Sequence, residues 1–127
     1  MLEQSARVYD LQRLMSNLFG KAGAVHDLPP YRAVGPVAEE EYLSRAERYD
    51  GQLKTQVGLD PAGKTTAEKM AALRAHREAQ YLALQKVVYK RRGWTDDGIP
   101  TRARLEELGI AIPEVLALLP DPGAPRP

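Results

Sequence analysis

The sequence predicts an all-α fold, an irregular bundle of about five helices around one long helix at residues 66–92, with a long loop at residues 20–37. No stretch alternates apolar and polar residues for long enough to indicate a β-strand. Apolar residues instead recur at three- and four-residue steps. From Ala67 to Arg92 there is no Gly or Pro, and strong helix formers predominate. The expected helices cover residues 3–19, 38–57, 66–92, 101–108 and 113–119.

Length and composition bound the class of protein. The 127 residues suffice for one domain, predicted as a single helical domain over residues 1–119 with a disordered tail at 120–127. The net charge of +1 gives no field of one sign, so we expect neither nucleic acid nor a membrane as a partner. No apolar run reaches the roughly 20 residues that span a bilayer, and no signal-peptide pattern opens the sequence. These observations favour a cytoplasmic protein.

The first helix has an apolar stripe and no residue that indicates chemistry. Such a stripe is typical of a helix face that packs on a core, and we expect it to be buried. Gly20 is expected to end this helix. The stripe consists of Val8, Leu11, Leu14, Met15 and Leu18.

The loop at residues 20–37 is longer than most loops of compact domains, which favours either a functional role or disorder. Its apolar residues, among them Val25 and Leu28, predict that it lies on an apolar surface. His26 beside Asp27 could move a proton near neutral pH. A loop hydrogen bond is the favoured interpretation, because a His-Asp dipeptide has no spacing that a mechanism requires.

The second helix, residues 38–57, opens with the acidic run Glu39 to Glu41, which suits the positive end of a helix dipole. Its apolar residues follow helical spacing and are expected to be buried. They are Leu43, Ala46, Tyr49, Leu53 and Val57.

The segment GLDPAGKT, residues 58–65, matches the phosphate-binding loop pattern in letters. That loop requires a buried β-strand before it, whereas an amphipathic helix is predicted here. We therefore predict a turn between helices and no nucleotide binding.

The long helix has local start and stop signals. Thr65 and Glu68 form a capping box, and Gly93 ends the helix behind a basic last turn. Trp94 is expected to be a packing anchor and Thr101 to cap the next helix. Apolar residues cover a wide arc towards the helix end, which predicts cover on more than one side. One side of the helix carries Met70, Leu73, Arg77, Tyr81, Leu84 and Val88.

Three blocks of the sequence resemble one family. Residues 89–110, YKRRGWTDDGIPTRARLEELGI, are similar to the closing segment of tungsten-pterin aldehyde:ferredoxin oxidoreductases. Residues 7–21, RVYDLQRLMSNLFGK, resemble a helix of that family, and residues 25–32, VHDLPPYR, stand where the family has an Asp-Asp-x-Leu-Pro-Pro loop. His26 stands where the family usually has Asp. The branch resembled is the one that contains the tungsten subunit of benzoyl-coenzyme A reductases.

The resemblance implies the C-terminal helical domain of such an enzyme, which completes the fold and the substrate channel but is not catalytic by itself. The resemblance implies that residues 1–127 include no catalytic, cofactor-binding or metal-binding residue. A tungsten- or molybdenum-bis-pterin and a four-iron four-sulfur cluster belong to the complete enzyme, and the absence of cysteine excludes cluster thiolates here. Residues expected at the substrate channel or a domain interface are His26, Asp27, Tyr31, Leu84, Val88 and Trp94.

Two hypotheses stay open at this point. In the first, the partners are the remaining domains of the oxidoreductase, in this or another chain. In the second, the chain is a free-standing helical interaction module without redox activity. If the chain is a separate C-terminal piece, apolar side chains such as Val25, Leu28 and Val87 are expected to be exposed when the other domains are absent, which predicts that the isolated chain forms a homo-oligomer.

Overall fold

This computed structural model describes residues 1–121 of the chain. Within them it contains six α-helices, two short turns of other helical types and no β-strand. The all-α prediction is confirmed. None of these helices is both long and apolar enough to cross a membrane. The predicted disorder of the tail falls, from residue 122 onward, outside the described residues. The helices are α1 Leu2–Leu18, α2 Glu39–Leu43, α3 Ala46–Gln52, α4 Thr66–Arg92, α5 Arg102–Glu107 and α6 Pro113–Leu116.

The chain forms two compact units. The terminal unit comprises Met1–Leu28 and Gln85–Pro127, and the middle unit comprises Pro29–Leu84. Helix α4 contributes residues to both units, since the boundary falls within it. Each unit has a core cluster of its own.

Helix α4 begins and ends where its local signals predict. The Thr65 amide donates to Glu68 Oε2 over 2.7 Å, and the Glu68 amide donates to Thr65 Oγ1 over 3.3 Å, which completes the capping box. At the other end Gly93 has a φ of 71°. The Gly93 and Trp94 amides donate back to the carbonyl groups of Lys90 and Tyr89, the bonding pattern of a Schellman motif.

The second predicted helix is divided. Helices α2 and α3 are separated at Ser44 and Arg45, and a π-helical turn, Leu53–Val57, follows α3. The predicted burial of Leu43 is wrong: Leu43 is exposed, and its neighbour Tyr42 is buried instead. Tyr42 stands seven residues before Tyr49, two helical turns away, and therefore shares its face, whereas Leu43 points to a different side.

Tyr42 is part of the core of the middle unit. The Tyr42 ring stacks on Tyr49 with ring centroids 5.1 Å apart, and its hydroxyl donates to Asp50 Oδ1 over 2.6 Å. Burial and this hydrogen bond raise the pKa of Tyr42. The buried members of this core are Tyr42, Tyr49, Leu53 and Leu73.

The GLDPAGKT segment forms the predicted turn. It follows the π-helical turn and not a strand, and Gly58 adopts a left-handed φ of 74°. The Ala62 amide donates to Asp60 Oδ1 over 3.1 Å, so the aspartate closes the turn locally.

We expect no micromolar ATP binding by this segment, because its amides do not follow a buried strand. Replacing the exposed Lys64 by alanine should change the free energy of unfolding by less than about 0.5 kcal/mol. Isothermal titration with Mg-ATP and urea unfolding of both proteins are the measurements. ATP binding that Lys64→Ala abolishes would contradict the assignment of a turn.

In the terminal unit, α1 is turned differently from the prediction. Leu14 is buried, but so is Asp10, whereas Val8, Met15 and Leu18 are exposed. The predicted burial of these three is wrong, because the polar side of α1 finds buried partners. The buried core members are Leu14 of α1, Leu105 of α5 and Val115 of α6. Thr101 caps α5 as predicted, accepting from the Arg104 amide over 3.2 Å.

Candidate functional site

Asp27 lies at the meeting point of two helices and a turn in the terminal unit. Arg13 of α1 donates to both of its carboxylate oxygens, Nη1 to Oδ1 over 2.9 Å and Nη2 to Oδ2 over 2.5 Å. The hydroxyl of Tyr89, near the end of α4, donates to the same carboxylate. Arg13 Nε also donates to the Gly98 carbonyl over 2.8 Å. The loop is thus fixed to both helices by charge-assisted hydrogen bonds.

Asp27 is ionised and Tyr89 is neutral at neutral pH. The hydrogen bond from the Arg13 guanidinium holds the pKa of Asp27 below its ordinary value. Burial, together with the hydrogen bond to Asp27, raises the pKa of Tyr89 to about 12. A general base works best with a pKa near the working pH, and both groups are shifted away from it. The arrangement therefore holds geometry and is unsuited to proton transfer.

A second carboxylate, Asp10 of α1, is 2% exposed. It accepts from Trp94 Nε1 over 3.1 Å and from Arg104 Nε over 3.2 Å. Arg104 also donates to Glu107 over 2.8 Å. Because a buried charge is costly unless it is paired, these donors account for the burial of Asp10.

The indole of Trp94 joins the two groups. The Arg13 guanidinium carbon lies 4.9 Å from the centroid of the indole, and the Tyr9 ring stacks on it with a centroid distance of 5.8 Å and an interplanar angle of 7°. Arg92 lies over the Tyr9 ring at 4.5 Å. We call the joined set the Trp94 cluster: Asp10, Arg13, Asp27, Tyr89, Trp94 and Arg104.

A cavity of about 380 Å³ opens beside this cluster within the terminal unit. Its volume falls in the range of small-molecule pockets. It is lined by Trp94 and apolar Val87 together with two cations of α4, Lys86 and Lys90. The remaining lining residues are Gly93, Asp96 and Thr101.

The predicted site residues are distributed unevenly. Asp27 and Trp94 come together through Arg13, which contacts both. His26 is exposed, and so is Val88 of α4. Tyr31 and Leu84 belong to the middle unit and are also exposed.

Four members of the Trp94 cluster were not predicted from the sequence. Two of them had an available signal: Asp10 and Arg13 stand with Leu14 at helical spacing on one side of α1, so polar residues run beside a leucine that is expected to be buried. The unpredicted members are Asp10, Arg13, Tyr89 and Arg104.

The cofactors that the resemblance implies do not fit the residues present. Residues 1–121 contain no group of three or more His, Asp or Glu side chains arranged to hold a metal ion. The sequence has no cysteine for an iron–sulfur cluster. We therefore assign no metal or cluster ligand within residues 1–121.

Removing the Asp27 charge should destabilise the protein in a pH-dependent way. Since folding lowers this pKa, its contribution is present above the unfolded value, near 3.8, and is lost as the pH falls through the folded value. Asp27→Asn should lower the free energy of unfolding by about 2 kcal/mol at pH 7. That difference should shrink steadily below about pH 4. Urea unfolding at several pH values measures it.

A matched control for Asp27→Asn is Glu78→Gln, which removes one exposed carboxylate from α4. It should leave the stability almost unchanged at every pH. A constant difference between wild type and Asp27→Asn from pH 7 to pH 2 would contradict the ion pair with Arg13.

Comparison with protein families shows what most of the chain is similar to. A family model described as aldehyde ferredoxin oxidoreductase, domains 2 and 3, matches residues 1–110. This range includes the whole Trp94 cluster. Searches of curated proteins and of solved structures found no match.

Proposed function

We propose a function from the premise that the chain belongs to the aldehyde ferredoxin oxidoreductase family, whose domains 2 and 3 its residues 1–110 match. It serves as the C-terminal helical part of a tungsten-dependent enzyme of this family. In that role it completes the fold and lines the substrate channel, and it has no catalytic activity by itself. Within the family, we place the chain in the branch with the tungsten subunit of benzoyl-coenzyme A reductases.

One observation supports this proposal beyond the match itself. The three sequence blocks that resemble the family converge in the Trp94 cluster. Arg13 comes from the first block, Asp27 from the second, and Tyr89, Trp94 and Arg104 from the third. Blocks far apart in the sequence thus form one network of hydrogen bonds. A chance likeness of three separate segments gives no reason for such convergence.

The cofactors of the complete enzyme are bound outside residues 1–127. Because these residues offer no cysteine and no three-residue metal group within the described part, the bis-pterin and the four-iron cluster belong to other parts of the enzyme. Those parts lie in the same polypeptide or in another chain, and we place the enzyme in the cytoplasm. Within the terminal unit, we place the contact with them at His26, Val88 and the neighbouring Val25, Leu28 and Val87.

The test is purification from the source cell through a tag on this polypeptide. We expect recovery of a pterin-binding, cysteine-containing polypeptide or segment, with tungsten or molybdenum and iron found by elemental analysis. The assembly should exchange electrons with a viologen dye in the presence of an aldehyde or, if the branch assignment holds, of benzoyl-coenzyme A, and the 127 residues expressed alone should not. Val88→Glu should lower the recovery of the partner or of the metal, and Glu78→Gln should not.

The alternative, a free-standing helical interaction module, is favoured by exposed apolar side chains such as Val25, 71% exposed, and Val87, 61% exposed. The same purification discriminates between the two functions. A chain recovered without metal and without a cysteine-rich polypeptide would contradict the oxidoreductase role and support the module.

A further inference from the structure

Two lysines of α4, Lys86 and Lys90, line the cavity beside Trp94. They stand four residues apart and are therefore neighbours on the helix surface, where two like charges destabilise a helix. A basic last turn suits the negative end of the helix dipole, but this effect falls off within one turn. Because Lys86 stands six residues before the last helical residue, Arg92, the dipole does not account for it.

Within residues 1–121, neither lysine side chain has a carboxylate partner. Asp96 lines the same cavity, is exposed and forms no ion pair with them. The lining therefore carries two positive charges and one negative charge, which suits a ligand with a single negative charge. The cations that do form ion pairs in the terminal unit are Arg7, Arg13, Arg102 and Arg104.

The rest of the lining is held in place by bonds within the protein. The indole N–H of Trp94 donates to Asp10 over 3.1 Å. The hydroxyl of Thr101 donates to the Gly93 carbonyl over 2.8 Å and so has no proton left for a ligand. Beside the lysines and the aspartate, a ligand therefore meets mainly the apolar surface of Val87 and Trp94.

We infer that this cavity binds a small organic acid, a single carboxylate on an apolar body. The two ammonium groups receive the carboxylate, because an anion shared between them removes their mutual repulsion and accepts charge-assisted hydrogen bonds. Val87 and Trp94 cover the apolar body, as in ligand pockets that combine apolar walls with a few polar groups. Asp96 disfavours a ligand with a second negative charge, such as a phosphate dianion.

The inference does not rest on the proposed oxidoreductase role. All the residues that line the cavity belong to the terminal unit, so binding requires no other domain. The full 127-residue chain is therefore the protein to test.

Titration of this chain with hexanoate at constant ionic strength, followed by tryptophan fluorescence, tests the inference. Trp94 is the only tryptophan and lines the cavity, so a ligand there changes its surroundings. We expect saturation with a Kd of about 1–10 mM, a strength typical of so small a ligand. Hexanol lacks the charge and acetate lacks most of the apolar body, so each should bind about tenfold more weakly. Inorganic phosphate should also bind more weakly than hexanoate.

Single substitutions assign the charges. Lys86→Gln and Lys90→Gln should each raise the Kd of hexanoate about threefold, and the double variant should raise it about tenfold. Asp96→Asn should lower it about threefold, because it removes a negative charge from the lining. Lys64→Gln, at an exposed lysine of the middle unit, is the control and should leave it unchanged. All these side chains are exposed, so the variants should fold, and circular dichroism checks that they do.

The indole N–H resonance of Trp94 in nuclear magnetic resonance spectra gives a second measurement of the same Kd. A titration without saturation up to about 100 mM hexanoate would overturn the inference. So would hexanol or acetate binding as well as hexanoate, since the site would then recognise only one half of the ligand. Tighter binding of phosphate would contradict the assignment of a carboxylate. A Kd that the double lysine variant leaves unchanged would place the ligand elsewhere and would equally overturn the inference.

Discussion

Asp10→Ala is expected to lower the free energy of unfolding by about 3 kcal/mol, at the lower end of the range for breaking a buried ion pair. The Trp94 indole N–H would lose its acceptor in a buried place, and an unpaired buried donor costs about 1–3 kcal/mol. Arg104 would lose one carboxylate but keep Glu107, which limits its share. The corresponding fall in melting temperature is roughly 10 °C.

Thermal and urea unfolding measure this effect, and the fluorescence of the single tryptophan reports whether its surroundings change. Glu106→Ala is the control: it removes a carboxylate from the exposed pair with Arg102, at 3.2 Å, and should cost less than about 1 kcal/mol. Asp10→Asn should fall between the two, because an amide oxygen can still accept from Trp94. If Asp10→Ala were as stable as Glu106→Ala, the buried position of Asp10 would be wrong.

Gly98→Ala is the second substitution with a large expected effect, also about 3 kcal/mol. Gly98 has a φ of 75°, which costs an L-residue about 1–2 kcal/mol. The added methyl group would lie 2.8 Å from Tyr89 Cζ and would also meet the guanidinium of Arg13. Both side chains hold Asp27, so neither can move without loss of that network.

Gly63→Ala separates the two causes. Gly63 has nearly the same φ, 73°, but a methyl group there would meet no atom within 4 Å. This control should therefore cost only about 1–2 kcal/mol, the conformational part. Urea unfolding of both variants gives the difference. Equal losses of stability would mean that the turn at Gly98 is not packed against Tyr89 and Arg13.

The features of the fold that could be predicted from the sequence are those that neighbouring residues decide. The capping box of Thr65 and Glu68 sets the start of α4, and Gly93 sets its end. Each signal involves only residues that are close together in the sequence. The Thr101 cap is equally local. The all-α class follows from periodicity in the same way, because helical hydrogen bonds join residues four apart.

The candidate site could be predicted only in part. Asp27 and Trp94 were singled out by their place in blocks that resemble the family, while Arg13 and Arg104 were not, since a charged residue on a helix is usually solvated. Leu43 and Tyr42 illustrate the same limit in the middle unit, where both neighbours are apolar enough for a core and only the packing shows that Tyr42 is the buried one.

By itself, then, the sequence determined the helical class, the extent and ends of α4, and the likeness to the oxidoreductase family, all of which depend on short-range spacing or on the order of residues. Which side of α1 is buried was decided by the tertiary structure alone. An apolar stripe would turn inward by the hydrophobic effect, but Asp10 has partners 84 and 94 residues away, Trp94 and Arg104. Their hydrogen bonds compensate its burial and leave Val8, Met15 and Leu18 outside.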